Sequence, residues 1–282
     1  MRYHPLTEVD RDVMLSVIEC KSTEELFGDL PKTNSEIILP EHCSEMEVER
    51  IINDLASKNI PCGDVACFLG GGNYRHHTPA SLDYLIQRGE FLTAYTPYQP
   101  EISQGTLQTI FEFQTQVALI MKMDVANASM YDGATACAEA AAMACRITKR
   151  TGIHICGSVH PHYTDVTLTQ LQHLGLNIEK SAPSIISIDS LLNKLSDDLA
   201  CIIVQNPGIL GDIVDLEPLA NECHSRGVLL VVCVTEPLSL GLIKPPGAMG
   251  ADIVIGEGQS LSGPLSFGGP GLGLFATRQK YI

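Results

Sequence analysis

From about residue 125 to residue 276 the chain alternates between short apolar runs and segments of helical period, and this alternation constrains the fold more than any other feature. The apolar runs are His154–Val159, Leu176–Ile178, Cys201–Gln205, Val228–Val234, Asp252–Ile255 and Leu272–Ala276. Between them lie segments that read as helices: Ala134–Lys149, Asp165–Leu174, Ile188–Leu195 and Asp215–Arg226. Strands that are apolar throughout, rather than on alternate residues, are covered on both faces. Repeated strand–helix units of this kind predict an α/β fold, with a mostly parallel sheet and helices on both faces.

Ahead of this region the pattern is different. Residues 1–60 read as an N-terminal helical arm and residues 61–282 as the large domain. In the arm, Ser22 with Glu25 and Ser44 with Glu47 have capping-box spacing, in which hydroxyl and carboxylate satisfy free N–H groups of a first turn. Ile51, Ile52 and Leu55 give the second helix one apolar face, suited to docking on a body or a partner. Residues 61–103 are rich in loops, and a helix follows from Leu107 to Met121 with Leu107, Ile110, Phe111, Val117 and Ile120 on its period. The chain stops at Gln279-Lys280-Tyr281-Ile282, directly after a strand. Another segment usually follows in folds of this type, so a fragment or short variant is expected, with the C-terminal small domain absent or truncated.

Charge narrows the partners. A net charge of −15 disfavours nucleic acid and anionic membranes alike, since both call for a basic surface. No apolar run is long enough to span a bilayer, and MRYHPLTEVDRDV has neither a signal-peptide core nor a transit composition. Of the ten cysteines most sit inside apolar runs, as Cys137, Cys145, Cys201 and Cys233 do, and no CxxC pair occurs. Reduced thiols and a cytoplasmic location are the expectation.

Four segments contain groups that chemistry could use. Asp132-Gly133-Ala134-Thr135 enters a helix, whose free N–H groups suit a phosphate; an ordinary cap with Asp132 as N-cap is the competing reading. His160 and His162 stand at a strand end, where open α/β sheets place ligands. His160 is suited to stacking on a flat heteroaromatic ring, or to a structural hydrogen bond. Spacing offers no third ligand, so no metal is expected. Gln205-Asn206-Pro207-Gly208 follows another strand, as polar ligand groups or as a plain turn. Phe68 to His77, FLGGGNYRHH, pairs three glycines with a polar cluster that reads either as a pocket wall or as a flexible surface loop.

Beside these stands GEGQSLSGPLSFGGPG, residues 256–271, which has the layout of a loop that holds a cofactor covalently but carries no lysine between Lys244 and Lys280. Taken in order, FLGGGNYRHHTP, AYTPYQPEISQGTLQTIFEFQT, SMYDGATACAEA, SVHPHY and LIKPPGAMGADIVIGEGQSLSGPLSFGGPGLGLFATR resemble the glycine cleavage system P-protein, glycine dehydrogenase (decarboxylating). The alpha-type subunit of organisms that divide this enzyme into two chains is the nearer likeness. The resemblance spans Val65 to Arg278.

It implies the fold-type-I pyridoxal phosphate architecture. It also implies decarboxylation of glycine, with transfer of the aminomethyl group to the lipoyl arm of the H-protein and the cofactor as electron sink. Set against the lysine-bearing half of the family, Gln259 stands in the place of the Schiff-base lysine, and an amide is not a nucleophilic amine. The acid that meets the pyridine nitrogen falls near Cys233, with Glu236 as substitute only if the register slips. Asn206-Pro207-Gly208 replaces an expected Pro-Asn-Phe. Lys244, in the proline-stiffened LIKPPG, is the remaining and unfavoured lysine.

The resemblance therefore implies a subunit without its own Schiff-base lysine, acting beside a lysine-bearing beta-type subunit that holds the pyridoxal phosphate. Gly133, Thr135, His160 and Gln259 would line a pseudo-site. Asn73, Tyr74, Arg75, His76, Tyr95 and Tyr98 would shape a substrate or partner pocket. The competing readings are a degenerate scaffold with a binding role only, and an independent pyridoxal phosphate enzyme with an unrecognised lysine.

Overall fold

The computed structural model describes residues 6–30, 38–68, 70–128 and 130–282; Leu69 and Ser129, which belong to two of the quoted motifs, lie outside these. The chain divides into two units, Met1–Pro61 and Cys62–Ile282.

The first unit holds helices α1 (Glu8–Val17) and α2 (Glu45–Ala56), with a 3-10 turn at Thr23–Phe27. Glu47 accepts from both the backbone N–H and the hydroxyl of Ser44, at 2.7 and 2.6 Å, so the box expected there forms. The one expected at Ser22 does not. Glu25 instead accepts from the Lys21 N–H at 2.8 Å, and only the 3-10 turn follows. Thr7 and Asp10 form a box that the sequence reading passed over.

The second unit opens with α3 (Ala80–Ile86), α4 (Gly89–Leu92) and α5 (Gln104–Met121). The buried line of α5 runs through Val117, Ala118 and Met121, with Phe111 and Ile120 exposed. The apolar stripe read from sequence was thus wider than the face the core accepts. There follow β1 (Val125–Ala126), α6 (Gly133–Thr148), β2 (Gly152–Ile155), α7 (Pro161–Leu171), β3 (Asn177–Lys180), α8 (Ile188–Leu192), β4 (Leu199–Gln205) and α9 (Glu217–Ser225). The chain then forms β5 (Leu229–Val234), β6 (Ile253–Glu257), the single turn α10 (Gln259–Ser262) and β7 (Gly273–Thr277).

The seven strands make one sheet in the order β1-β7-β6-β5-β4-β2-β3. β3, β2, β4, β5 and β6 are parallel, and β7 pairs antiparallel with both β6 and β1. All seven residues of β4 and all six of β5 are buried. Because alternate strand residues point to opposite faces, a fully buried strand is one covered on both sides. Each such Val, Leu or Ile contributes roughly 1.5–3 kcal/mol by leaving water. α6 lies close to the sheet because its inward residues are small: Ala136, Cys137, Ala140, Ala141 and Ala144. No described helix is long and apolar enough to cross a membrane.

Strand β2 ends at Ile155, four residues before the expected Val159. From Cys156 the chain turns toward α7, and His160 becomes the N-cap of that helix rather than the last residue of a strand. β2 runs out to β3 on one side, and β4 returns to the other side of β2. The order reverses between β2 and β4, so the crevice above their C-terminal ends is the switch point at which open α/β sheets place ligands.

Candidate functional site

A cavity of about 480 Å³ opens at this edge, lined by segments that follow β2, β5 and β6, by the start of α6 and by the 265–271 hairpin. Its floor is set by hydrogen bonds. The His160 N–H donates to Gln205 Oε1 at 2.8 Å, bridging the ends of β2 and β4 across the switch point. Gln205 itself is buried, and its amide donates to Pro207 O and Thr235 Oγ1 at 3.1 and 3.3 Å.

His160 is held at both ring nitrogens. Nδ1 accepts from the His162 N–H at 3.1 Å, capping α7, so Nε2 carries the proton and donates to Gly71 O at 2.8 Å. The glycine loop thus lies over the histidine ring. Gly72 has φ +87°, which side chains rarely adopt, and a Cβ there would come within 3.4 Å of the imidazole.

The start of α6 is the most heavily bonded part of the site. Asp132 caps the helix by accepting from the Thr135 N–H at 2.7 Å, and the Thr135 hydroxyl turns back to Asp132 O at 3.0 Å. The Gly133 N–H donates to Glu257 Oε2 at 3.0 Å, while Glu257 Oε1 accepts from Gln259 N–H at 3.0 Å and Leu272 N–H at 2.7 Å. Tyr163 closes over this point. The residue is 7% exposed and its hydroxyl is buried without a hydrogen-bond partner. A Cβ on Gly133 would overlap that hydroxyl, so glycine is required there. Burial first, and then the nearby Cys233, Glu257, Cys137 and Asp132, push the Tyr163 hydroxyl well above the usual tyrosine range.

The cavity gathers some of the residues singled out in the sequence and leaves others outside. Asn73, His160 and Gln259 line it. Gln259 is 9% exposed, and its amide donates to Gly263 O at 2.6 Å across α10. Gly133 lies at its edge beneath Tyr163. Thr135 faces a separate cavity with Tyr131, Glu139 and Gln170. His76 pairs with Glu236 at 2.9 Å, and Glu236 also accepts from the Ser260 hydroxyl at 2.8 Å. Arg75 donates to the carbonyls of Cys62 and Gly63, bracing the glycine loop from outside. Tyr74 is half exposed, and Tyr95 and Tyr98 stand at the surface. The groups that sequence reasoning missed are Glu257 and Tyr163, whereas Gln205 was already marked as a polar group at a strand end. The signal for Glu257 was present, as an acid at a strand end two residues before Gln259.

Measured against what pyridoxal phosphate needs, the cavity is mismatched at three points. No lysine is among its described lining residues, and Lys244 is tied to Glu217 at the surface. Cys233, near which the resemblance sets the acid that meets the ring nitrogen, is a buried thiol 3.9 Å from Cys137, and burial pushes its ionisation well up. The start of α6, a helix N-terminus of the kind that suits a phosphate, already holds the Glu257 carboxylate. The residues of this chain do not fit that group.

Fold and edge site together define a large domain of the fold-type-I pyridoxal phosphate class. A glutamate decarboxylase of Lactobacillus brevis has the same fold, with a TM-score of 0.63 over 93% of this chain and 63% of its own at 13% identity. The chain belongs to the glycine cleavage system P-protein family, whose model matches residues 1–282. A crystal structure of glycine decarboxylase (P-protein) of the glycine cleavage system, in inhibitor-bound form, superposes with a TM-score of 0.88 at 43% identity. That match covers all of this chain and 64% of the other. Among relatives, probable glycine dehydrogenase (decarboxylating) subunit 1 of Rhodospirillum rubrum is 58% identical over the whole chain, and that of Erythrobacter litoralis 55% over 99% of it. The chain spans 64% and 63% of the lengths of these two relatives.

Proposed function

We propose that this chain provides the large domain of a subunit 1 of glycine dehydrogenase (decarboxylating). In this reading it works in the cytoplasm beside a lysine-bearing beta-type subunit that holds the pyridoxal phosphate. The complex decarboxylates glycine and passes the aminomethyl group to the lipoyl arm of an H-protein. The observation that carries the reading is Gln259, at the turn after β6 with its amide bonded to Gly263 O, in the position that the resemblance assigns to the catalytic lysine. The names of the relatives supply the activity. Exposed apolar side chains of the second unit, including Phe68, Tyr84, Tyr95, Tyr98, Ile102 and Phe111, are consistent with a surface covered in a complex. The 1–60 and 61–282 division is carried forward in the same sense, as arm and catalytic-type domain.

The test is a mixing experiment with the full-length chain. Incubated alone with pyridoxal phosphate and borohydride, it should acquire no covalent cofactor and show no exchange of bicarbonate into glycine. Exchange should appear when the lysine-bearing subunit is added. A stoichiometric cofactor adduct on this chain overturns the reading, and so does a mixture of folded subunits that never exchanges.

A further inference from the structure

We infer that Glu257 is a built-in anion: its carboxylate fills the place at the start of α6 where a phosphate ligand would be received, and so decides which ligands this cavity refuses. The inference rests on this chain's own bonds and holds with or without a partner subunit. A helix of 16 residues, as α6 is, presents unpaired N–H groups and positive potential at its first turn, and draws an anion there. In this chain the requirement is met from within. The Glu257 carboxylate collects N–H groups from three separate segments: Gly133 at 3.0 Å, Gln259 at 3.0 Å and Leu272 at 2.7 Å. Charge-assisted bonds to backbone N–H groups are among the stronger ones a protein makes. Further along the same turn, the Thr135 N–H is taken by Asp132 at 2.7 Å.

Two further observations point the same way. The cavity walls around this carboxylate carry Asp132 and Asp165 as well, so an incoming phosphate would meet like charge. The space over Gly133 is filled by Tyr163, whose buried hydroxyl has no partner. A side chain of the protein thus occupies the neighbourhood of the cup, and a carboxylate the cup itself. The site keeps the shape of a phosphate receptor while its anion is part of the covalent chain.

Thermal unfolding of the full-length wild type, Glu257→Ala and Glu139→Ala tests the inference, in inorganic phosphate and in chloride of matched ionic strength. Glu139 lies on the exposed side of the same helix, so Glu139→Ala makes the same change of charge without touching the cup. Wild type and Glu139→Ala should show no phosphate-specific change. Glu257→Ala should gain about 3 °C in Tm at phosphate ten times its Kd. A shift in the wild type equal to that of Glu257→Ala overturns the inference, as does a folded Glu257→Ala that ignores phosphate. Should Glu257→Ala fail to fold in chloride, its refolding in inorganic phosphate becomes the readout. Recovery supports the built-in anion and continued failure refutes it. None of these readouts involves glycine turnover, so their failure leaves the subunit assignment standing, and failure of the mixing experiment leaves this one intact.

Discussion

Replacing Gly133 by alanine places a methyl group against atoms that have little room to move. Beyond the Tyr163 hydroxyl, the new Cβ would lie 2.8 Å from Tyr163 Cζ and 2.9 Å from the carbonyl carbon of Gly256. Gly256 is fixed by its pairing with Val234 and Leu274 on both sides of β6, so most of the adjustment falls on Tyr163. Overpacking of this kind costs about 1–3 kcal/mol, and the backbone contact argues for about 3 kcal/mol. Alanine's advantage over glycine within a helix, at most about 1 kcal/mol, counts for less at the first helical position. Tyr163→Phe removes the nearest clashing atom and a buried hydroxyl that bonds to nothing, so by itself it should be neutral or stabilising by up to about 1 kcal/mol. In the Tyr163→Phe background Gly133→Ala should then cost roughly half as much, a coupling of about 1–1.5 kcal/mol. Urea unfolding of the four proteins measures this, read from midpoints at constant slope. Additivity within about 0.5 kcal/mol would refute the stacking of Tyr163 on Gly133. A loss of more than about 1 kcal/mol in Tyr163→Phe would mean that the hydroxyl is bonded after all.

Two further outcomes follow from buried polar groups. His154 is 1% exposed; burial lowers its pKa from 6.5, with Glu179 opposing in part. Above pH 6.5 both folded and unfolded chains hold it neutral. Below that value the unfolded chain takes up a proton that the folded one refuses, so stability falls as the pH drops, by up to about 1.4 kcal/mol per unit from this group. His154→Gln should show a shallower fall between about pH 6.5 and 5.5 in urea titrations, and an unchanged slope refutes the assignment. Asp252, also buried, accepts from Leu230 N–H at 3.0 Å, His224 Nε2 at 2.9 Å and the Tyr281 hydroxyl at 2.8 Å, joining β5, α9 and the last turn of the chain. Asp252→Ala should cost about 3–5 kcal/mol by thermal or urea unfolding, and a loss under about 1 kcal/mol would show those donors re-bonding to water.

The sequence by itself determined the α/β architecture, because strands covered on both faces must be apolar at every position, and β4 and β5 are. It also determined the family, through motifs spread from Val65 to Arg278. Local capping was legible at Ser44, where all the partners lie within one turn, and not at Ser22, where Glu25 found the Lys21 N–H instead. What only the tertiary structure decided are the pairings between distant segments. The Gly133–Glu257 bond joins residues 124 positions apart, and the His160–Gly71 bond joins residues 89 apart. Periodicity and spacing describe a residue's neighbours along the chain, whereas these partners become neighbours only once the sheet has brought the C-terminal ends of its strands to one edge. For the same reason α6 read as a phosphate-ready helix or a plain cap. That its start is filled by an acid from the end of β6 could be seen only when the two ends met.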